Sequence, residues 1–242
     1  MALSADTLAV GSQGEASNAT GVDGNQGDAT MLGAGAVYVF TRSGSTWSQQ
    51  AYLKASNTRP GAFFGFSLAL SGDTLAVGAT RESSNATGVN GNQLDASMDY
   101  AGAVYVFTRS DTTWLQQGYL KASNTQAYAS FGSRLALSEN TLAVVALGES
   151  SNAKGVNGNQ LDTSMRFAGA AYVFTRAGTT WSQKSYIKAT NTRARSNFGS
   201  GVALSEDTLA IGAAGDSSKA TGVNGDQSDS PTANAGACYV FR

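Results

Sequence analysis

A repeat of 67 residues runs through the whole chain and limits what the chain can fold into. The segment Asp73–Gly78 has counterparts that begin at Asp6, Asn140 and Asp207, each one repeat away from the next without insertion or deletion. Self-similarity at a fixed period is typical of folds in which one supersecondary unit packs on the next. The chain is therefore expected to be one domain of about four units, the last of them incomplete. The approximate unit bounds are 1–63, 64–130, 131–197 and 198–242.

Within each unit the hydrophobic residues alternate with period two, which predicts strands rather than helices. In the second unit the predicted strands are 67–71, 74–78, 103–108 and 113–121, with Gly72-Asp73 as a hairpin turn between the first two. One four-stranded antiparallel meander cannot bury both of its faces, so the copies must stack. The predicted fold class is all-β: a β-propeller of about four four-stranded antiparallel blades, with the last blade incomplete.

A Phe-Gly pair precedes the first strand of each unit, at Phe64, Phe131 and Phe198, and a Gly-Ala pair closes the second strand, as at Gly78. With the Gly-Ala-Val-Tyr-Val-Phe strand that follows, this pattern resembles the FG-GAP repeat of integrin-α-type β-propellers and of long bacterial surface proteins with tandem repeats. The resemblance covers essentially the whole chain. It implies an extracellular or cell-surface protein that acts in adhesion, ligand binding or carbohydrate recognition.

Composition excludes several classes of function. The chain has 16 Lys and Arg against 17 Asp and Glu, which argues against binding to nucleic acid or insertion into anionic membranes. It has no His, and its polar residues repeat evenly instead of clustering as a catalytic set, so we expect no enzyme. Residues 1–6 lack a basic and apolar leader, so no signal peptide is expected in this chain. Low charge and a single Cys fit an exported bacterial protein.

A long polar loop between the second and third strands of each unit is a candidate calcium site. The family's usual Asp-rich calcium loop between the first two strands is absent, because only Ser71–Thr74 stands there. The long loop carries carboxylate and amide oxygens, which Ca²⁺ prefers. The alternative is a loop whose Asp and Asn side chains cap its own backbone, with Asn90-Gly91 as a turn. The candidate ligands are Glu15, Asp23, Asn25 and Asp28, then Glu82, Asn90, Asn92 and Asp95, then Glu149, Asn157, Asn159 and Asp162, and finally Asp216, Asn224, Asp226 and Asp229.

Two further columns of the repeat suggest a carbohydrate site. Indole rings can stack on sugar rings, and Asn side chains can supply polar contacts. The alternative is that one Trp at a fixed place in each blade packs against the next blade, since an indole buries a large area with one polar group. The candidate ligand-binding residues are Trp47, Trp114 and Trp181, and Asn57, Asn124 and Asn191.

Three other features predict how the sheets pack. The Tyr column alternates with Val and is expected in the core, whereas the Lys column is expected to extend over a rim with its ammonium groups in water. Cys238 replaces Val104 in a strand and is expected to be a small buried hydrophobe. The two columns are Tyr38, Tyr105, Tyr172 and Tyr239, and Lys54, Lys121 and Lys188.

These observations leave three functions open. The first is a non-enzymatic extracellular module for adhesion or ligand recognition, with the polar loops as its binding face. The second is a self-assembling structural protein of surface fibres or arrays, and the third is a multivalent lectin. The strand expected at 237–241 would have an unpaired edge, which favours association with another copy of the chain. The other expected partners are a cell-surface protein or a glycan.

Overall fold

The computed structural model of the chain describes residues 1–229 and 233–242, and their regular structure consists of β-strands in four antiparallel sheets. The prediction of an all-β fold is confirmed. The strands of the first sheet are β1 (Ala2–Ser4), β2 (Thr7–Ser12), β3 (Ala36–Ser43) and β4 (Thr46–Leu53). Those of the second are β5 (Phe64–Ser71), β6 (Thr74–Ala79), β7 (Ala103–Ser110) and β8 (Thr113–Leu120). Those of the third are β9 (Phe131–Ser138), β10 (Thr141–Ala146), β11 (Ala170–Ala177) and β12 (Thr180–Ile187), and those of the fourth are β13 (Phe198–Ser205), β14 (Thr208–Ala213) and β15 (Ala237–Phe241).

Each sheet is a meander in which sequential strands are neighbours, as in the blades of a β-propeller. The fourth sheet has three strands, so the prediction of an incomplete last blade is also confirmed. Among the described residues of that sheet, β15 pairs with β14 alone and forms the outer edge. Cys238 on β15 is exposed, so the expectation that it is buried was wrong. Its counterpart Val104 is buried because it pairs with Leu120 of a fourth strand, which Cys238 lacks.

In the second, third and fourth units the first strand begins at a Phe, earlier than the alternating pattern predicts. In the second sheet β5 starts at Phe64 instead of Ser67, because the register shifts between these two residues while Phe64 pairs with Ala79. Gly65 lies inside this bulge at φ +88°, a backbone conformation that glycine adopts without steric cost. Because the bulge interrupts the alternation of apolar and polar residues, a period-two pattern does not locate the start of the strand.

The Phe-Gly and Gly-Ala motifs mark the places where successive sheets come closest. Gly102, just before β7, forms a parallel bridge with Phe131 at the start of β9. A Cβ on Gly102 would overlap the carbonyl oxygen of Phe131, and a Cβ on Gly78 would overlap that of Gly132. Glycine is therefore needed at these positions so that one backbone can lie directly against the next.

Three hydrophobic clusters form the core, one at each junction between successive sheets. In the middle cluster the Phe131 ring packs edge-on against Tyr172 and Phe174, with centroid distances of 5.3 and 6.1 Å. Tyr105, Tyr172 and Tyr239 are buried, as predicted for the Tyr column, whereas Tyr38 of the first sheet is half-buried. The sheets therefore stack face to face, and each apolar face is covered by its neighbour in the chain. Among the described residues, none belongs to a helix of the length and apolarity that crossing a bilayer requires.

Candidate functional site

The acidic residue that opens each polar loop lies in a buried ion pair. In the second unit the Lys121 Nζ is 2.9 Å from the Glu82 Oε2, and both side chains are buried. The Ser84 amide and hydroxyl also donate to this carboxylate. The expectation that the Lys column extends into water was therefore wrong, because each of these ammonium groups has a carboxylate partner beneath the surface. The equivalent pairs are Lys54 with Glu15 and Lys188 with Glu149, both at 2.6 Å.

Burial and pairing set the pKa values of this network. Burial lowers the pKa of the Lys121 ammonium, and the adjacent Glu82 carboxylate opposes only part of this effect. Asp216 takes the place of Glu in the fourth unit, and burial raises the pKa of its carboxyl. Hydrogen bonds from the Ser218 amide and the Asn191 side chain outweigh that effect and hold the Asp216 pKa below its ordinary value. The Asp216 carboxylate is thus held charged by donors that already occupy its oxygens.

The Asn column joins consecutive units. Asn57 lies in the segment that leads from the first sheet to the second, and its Nδ2 donates to the Glu82 Oε1 at 3.2 Å and to the Gln93 carbonyl at 3.1 Å. The Tyr105 hydroxyl donates to the Asn57 Oδ1. This amide is therefore satisfied inside the protein, between a tyrosine and the buried carboxylate. Asn124 and Asn191 make the corresponding bonds to Glu149 and Asp216.

The remaining acids of the polar loops cap the loops themselves. The Asp95 Oδ1 accepts hydrogen bonds from the Ser97 amide and hydroxyl at 3.0 and 2.7 Å and from the Asn85 amide at 3.1 Å. The Asn92 Oδ1 accepts one from the Leu94 amide at 2.9 Å. Equivalent caps are made by Asp28, Asp162, Asn25, Asn159 and Asp226, while Asp229 accepts from the Lys219 amide and pairs with its ammonium.

In the first three units the column of Asn90 fixes the polar loop to the outer strand of its own sheet. Asn90 has φ +55°, its amide donates to the Tyr119 carbonyl, and its Oδ1 accepts from the Tyr119 amide at 2.9 Å. Asp23 and Asn157 make the same pair of bonds, and Asn224 has the same backbone conformation in the fourth unit.

These contacts favour the self-capped loop over the calcium site. Within residues 1–229 and 233–242, no group of three or more His, Cys, Asp or Glu side chains is arranged to hold a metal ion. The acids that open the loops pair with lysine or with amide donors, and those near the loop ends bond to serine, threonine and backbone groups of the same loop.

In the second and third sheets, the Trp of the outer strand lies between its own sheet and the preceding one. Trp114 and Trp181 are 1% and 3% exposed, and their Nε1 atoms donate to the side chains of Gln50 and Gln117 in the preceding units. These contacts favour packing over sugar stacking. Trp47 belongs to the first sheet and is 41% exposed.

A different site lies where the second and third units meet. It is a cavity of about 580 Å³, a volume typical of small-molecule sites. The walls come from the segments that precede β5, β7, β9, β11 and β13, together with residues of β5 and β9. We call it the Arg-aromatic cavity, after its lining residues Phe63, Phe66, Arg81, Tyr100, Tyr128, Arg134, Arg166 and Phe167.

The rings and one guanidinium of this cavity form a connected row. The Arg81 Cζ lies 4.2 Å from the centroid of Phe63 and 5.1 Å from that of Tyr100. The Tyr100 and Tyr128 rings meet edge to face at 5.6 Å. Phe167 is half-exposed, as are both of these tyrosines, so part of each ring is accessible to a ligand, while the Arg81 guanidinium covers one face of Tyr100.

The Arg-aromatic cavity is lined by residues that differ between units that are otherwise closely repeated. Arg81 stands where the other three units have Gly, and Tyr128 stands where the first unit has Gly61. Tyr100 and Phe167 share a column with Gly33. Arg134 and Arg166 are each the only basic residue of their columns. Residues that pack the junctions recur in every unit, because the junctions are alike. A specific pocket at one junction instead requires side chains that occur in one unit and not in the others.

Four aromatic residues of this cavity adopt a backbone conformation that favours glycine. The φ values are +58° for Phe63, +52° for Tyr100, +63° for Tyr128 and +56° for Phe167. A bulky residue in this region costs about 1–3 kcal/mol and is retained where the surrounding structure enforces it, most often at functional sites. The positive φ is a property of the repeat, since Gly33 has φ +68° and Gly61 has φ +70°.

The sequence analysis did not identify this cavity, because it relied on positions that carry the same residue type in every unit. The sequence also contains positions at which one unit differs from the others, and these positions point to the cavity. Arg81 and Tyr128 are among the positions where one unit differs from the others in size or charge. Their proximity could not be read from that signal alone, because they come from different connecting segments.

Comparison with known families agrees with the architecture. The FG-GAP repeat model matches residues 47–107, 114–174 and 181–241, which together make up more than half of the chain. The chain belongs to the FG-GAP repeat family. Each match begins at a Trp in the outer strand of one sheet and ends in the third strand of the next, so the FG-GAP unit includes the junction between two sheets. No curated protein matches the chain.

Proposed function

We propose that this FG-GAP protein is a non-enzymatic recognition module of an extracellular or cell-surface protein, and that it binds its ligand in the Arg-aromatic cavity. Family membership supports a role in ligand binding or adhesion. The observation that carries the choice of site is the set of strained, half-exposed rings, which stand at positions where a sister unit has glycine. Glycine adopts this conformation without steric cost, so a large ring at the same position has a cost that contact with a ligand would offset.

The test compares the chain with a variant that lacks two of the rings. Tyr100→Gly with Tyr128→Gly restores the residues that the first unit has at Gly33 and Gly61, so the variant is expected to fold. Both proteins are labelled and applied to an array of cell-surface glycans and peptides. We expect binding by the wild type that the variant largely loses. Equal binding by the two proteins, or no binding by the wild type, would contradict the proposal.

A second candidate function is self-association through the outer face of the first sheet. Trp47 is 41% exposed on this face, whereas the same residue is buried in the next two units. The Arg42 guanidinium lies 5.7 Å from the Trp47 ring centroid, a stacking that the buried copies also show. We propose that a second copy of the chain covers this face. Light scattering over a range of concentrations should then show a dimer that Trp47→Ser disrupts, and a monomer at every concentration would contradict it.

A further inference from the structure

The Arg-aromatic cavity carries positive charge on a molecule that is slightly negative overall. Arg81, Arg134 and Arg166 line it, and all three side chains are exposed. Acidic side chains do not occur among the lining residues that the structure describes. The formal net charge of the whole chain is −1, so this concentration of cations is local. A local positive potential of this kind selects an anionic ligand.

The guanidinium groups can hold a carboxylate as the anion. A planar guanidinium binds a carboxylate through two parallel hydrogen bonds. The Arg134 Nη1 donates a hydrogen bond to the Ser133 carbonyl at 2.8 Å. This hydrogen bond orients the side chain and leaves its other nitrogens for a ligand. Arg81 is oriented by the rings of Phe63 and Tyr100 instead.

The rest of the lining suits a sugar better than a peptide. Half-exposed aromatic faces stack on the C–H faces of pyranose rings, and the nearby hydroxyls of Thr80 and Ser130 can bond to sugar hydroxyls. An extended peptide needs backbone partners, but backbone amides of the lining already donate across the junction. Tyr128 donates to Asp99 and Ser130 donates to Tyr100, at 2.7 and 3.0 Å.

We infer that the ligand of the Arg-aromatic cavity is a saccharide that carries carboxylate groups, such as a chain of uronic acid residues. This inference rests on the proposed function, because it names the chemical class of the ligand for the same site. The rings hold the sugar by its faces, while Arg134 and Arg166 hold its carboxylates. The cavity occurs at one junction, so the chain binds one such segment there.

Calorimetry with three matched probes tests the ligand class. The probes are trigalacturonic acid, the uncharged trisaccharide galactotriose, and triglutamate as an acidic peptide. We expect the acidic saccharide to bind at least about tenfold more tightly than either of the others, and its affinity to fall as salt is added. Arg134→Gln with Arg166→Gln should weaken its binding by at least about tenfold. Lys184→Gln, which removes an exposed cation of β12 that lies outside the cavity, is the control and should change nothing.

The outcomes separate the ligand class from the function. If galactotriose or triglutamate binds as tightly as trigalacturonic acid, and Tyr128→Gly removes that binding, the cavity is a recognition site but the inferred class is wrong. If the three probes all fail to bind the folded wild type, the inference is overturned, and the array described above decides the proposed function separately. If the arginine variant binds trigalacturonic acid like the wild type, the assignment of Arg134 and Arg166 is wrong.

Discussion

At the scale of single residues, the role of a lysine side chain depends on whether it is buried. Lys121 is fully buried against Glu82, whereas Lys154 one loop later is exposed. The sequence predicts the recurrence of the Lys and Glu columns, but it does not show that they meet across 39 residues. Their pairing follows from the loop folding back along the outer strand, where Lys121 donates its amide to the Gly88 carbonyl.

Lys121→Met should be strongly destabilising, because it leaves the buried Glu82 carboxylate without its cation. Removing one partner of a buried pair typically costs about 3–5 kcal/mol of unfolding free energy. Urea denaturation followed by circular dichroism measures this change. The double variant Lys121→Met with Glu82→Leu should lose less than the sum of the two single variants. Lys154→Met is the exposed control, and a loss there as large as that of Lys121→Met would argue against a role for the pair.

At the scale of elements, each long polar loop is held in place by its own side chains, and we call these loops fingers. In the second unit the loop between β6 and β7 is capped by Asp95 and fixed to β8 by Asn90. The sequence predicts a self-capped loop as one of two alternatives, and the contacts favour it. The first residue of a strand that begins with a bulge, such as Phe64, could not be predicted. The bulge interrupts the alternation of apolar and polar residues on which the prediction depends.

Acid should loosen the second finger. Hydrogen bonds from the Ser97 amide and hydroxyl hold the pKa of the Asp95 carboxyl below its ordinary value of 3.8. A carboxyl with a depressed folded pKa contributes stability that is fully present above its unfolded pKa and is lost as the pH falls through the folded pKa. Amide exchange in this loop, corrected for its intrinsic rate, should therefore be faster at about pH 3 than at about pH 6.

The third finger is a control within the same molecule. In Asp95→Asn the pH dependence of the second finger should disappear, while that of the third finger remains, because Asp162 makes the same bonds to Ser164. Hydrogen exchange with mass spectrometry resolves the two loops. An unchanged response of the second finger in the variant would show that Asp95 is not the titrating group.

At the scale of the whole molecule, stability comes from the junctions between sheets. The first two junctions each bury a Trp of the following sheet, and a hydrogen bond from an Asn side chain to the acid that opens a loop crosses all three junctions. The three FG-GAP matches each span one such junction, so the family's sequence unit coincides with the contact that stabilises the array. The Arg-aromatic cavity is built on one junction by replacing residues that packing does not use.

Trp114→Ala and Trp47→Ala should differ sharply in their effect on unfolding. Trp114 is fully buried against the first sheet, and truncating it should cost about 3–5 kcal/mol through the cavity left behind. Trp47 occupies the same column but is 41% exposed, and its truncation should stay within about 0.5 kcal/mol for the monomer. Urea denaturation at low protein concentration makes the comparison. Similar losses for both variants would mean that the first sheet is covered in solution.

The sequence alone determined the repeat, the all-β meander, the incomplete fourth blade and the FG-GAP resemblance, because each depends on local alternation and on glycine positions such as Gly78. Only the tertiary structure decided which side chains meet. It paired Lys121 with Glu82 and placed Trp114 between sheets. It also gathered residues of several connecting segments into the Arg-aromatic cavity. The physical reason is that contacts across a junction depend on how two sheets stack, and a one-dimensional pattern does not contain that geometry.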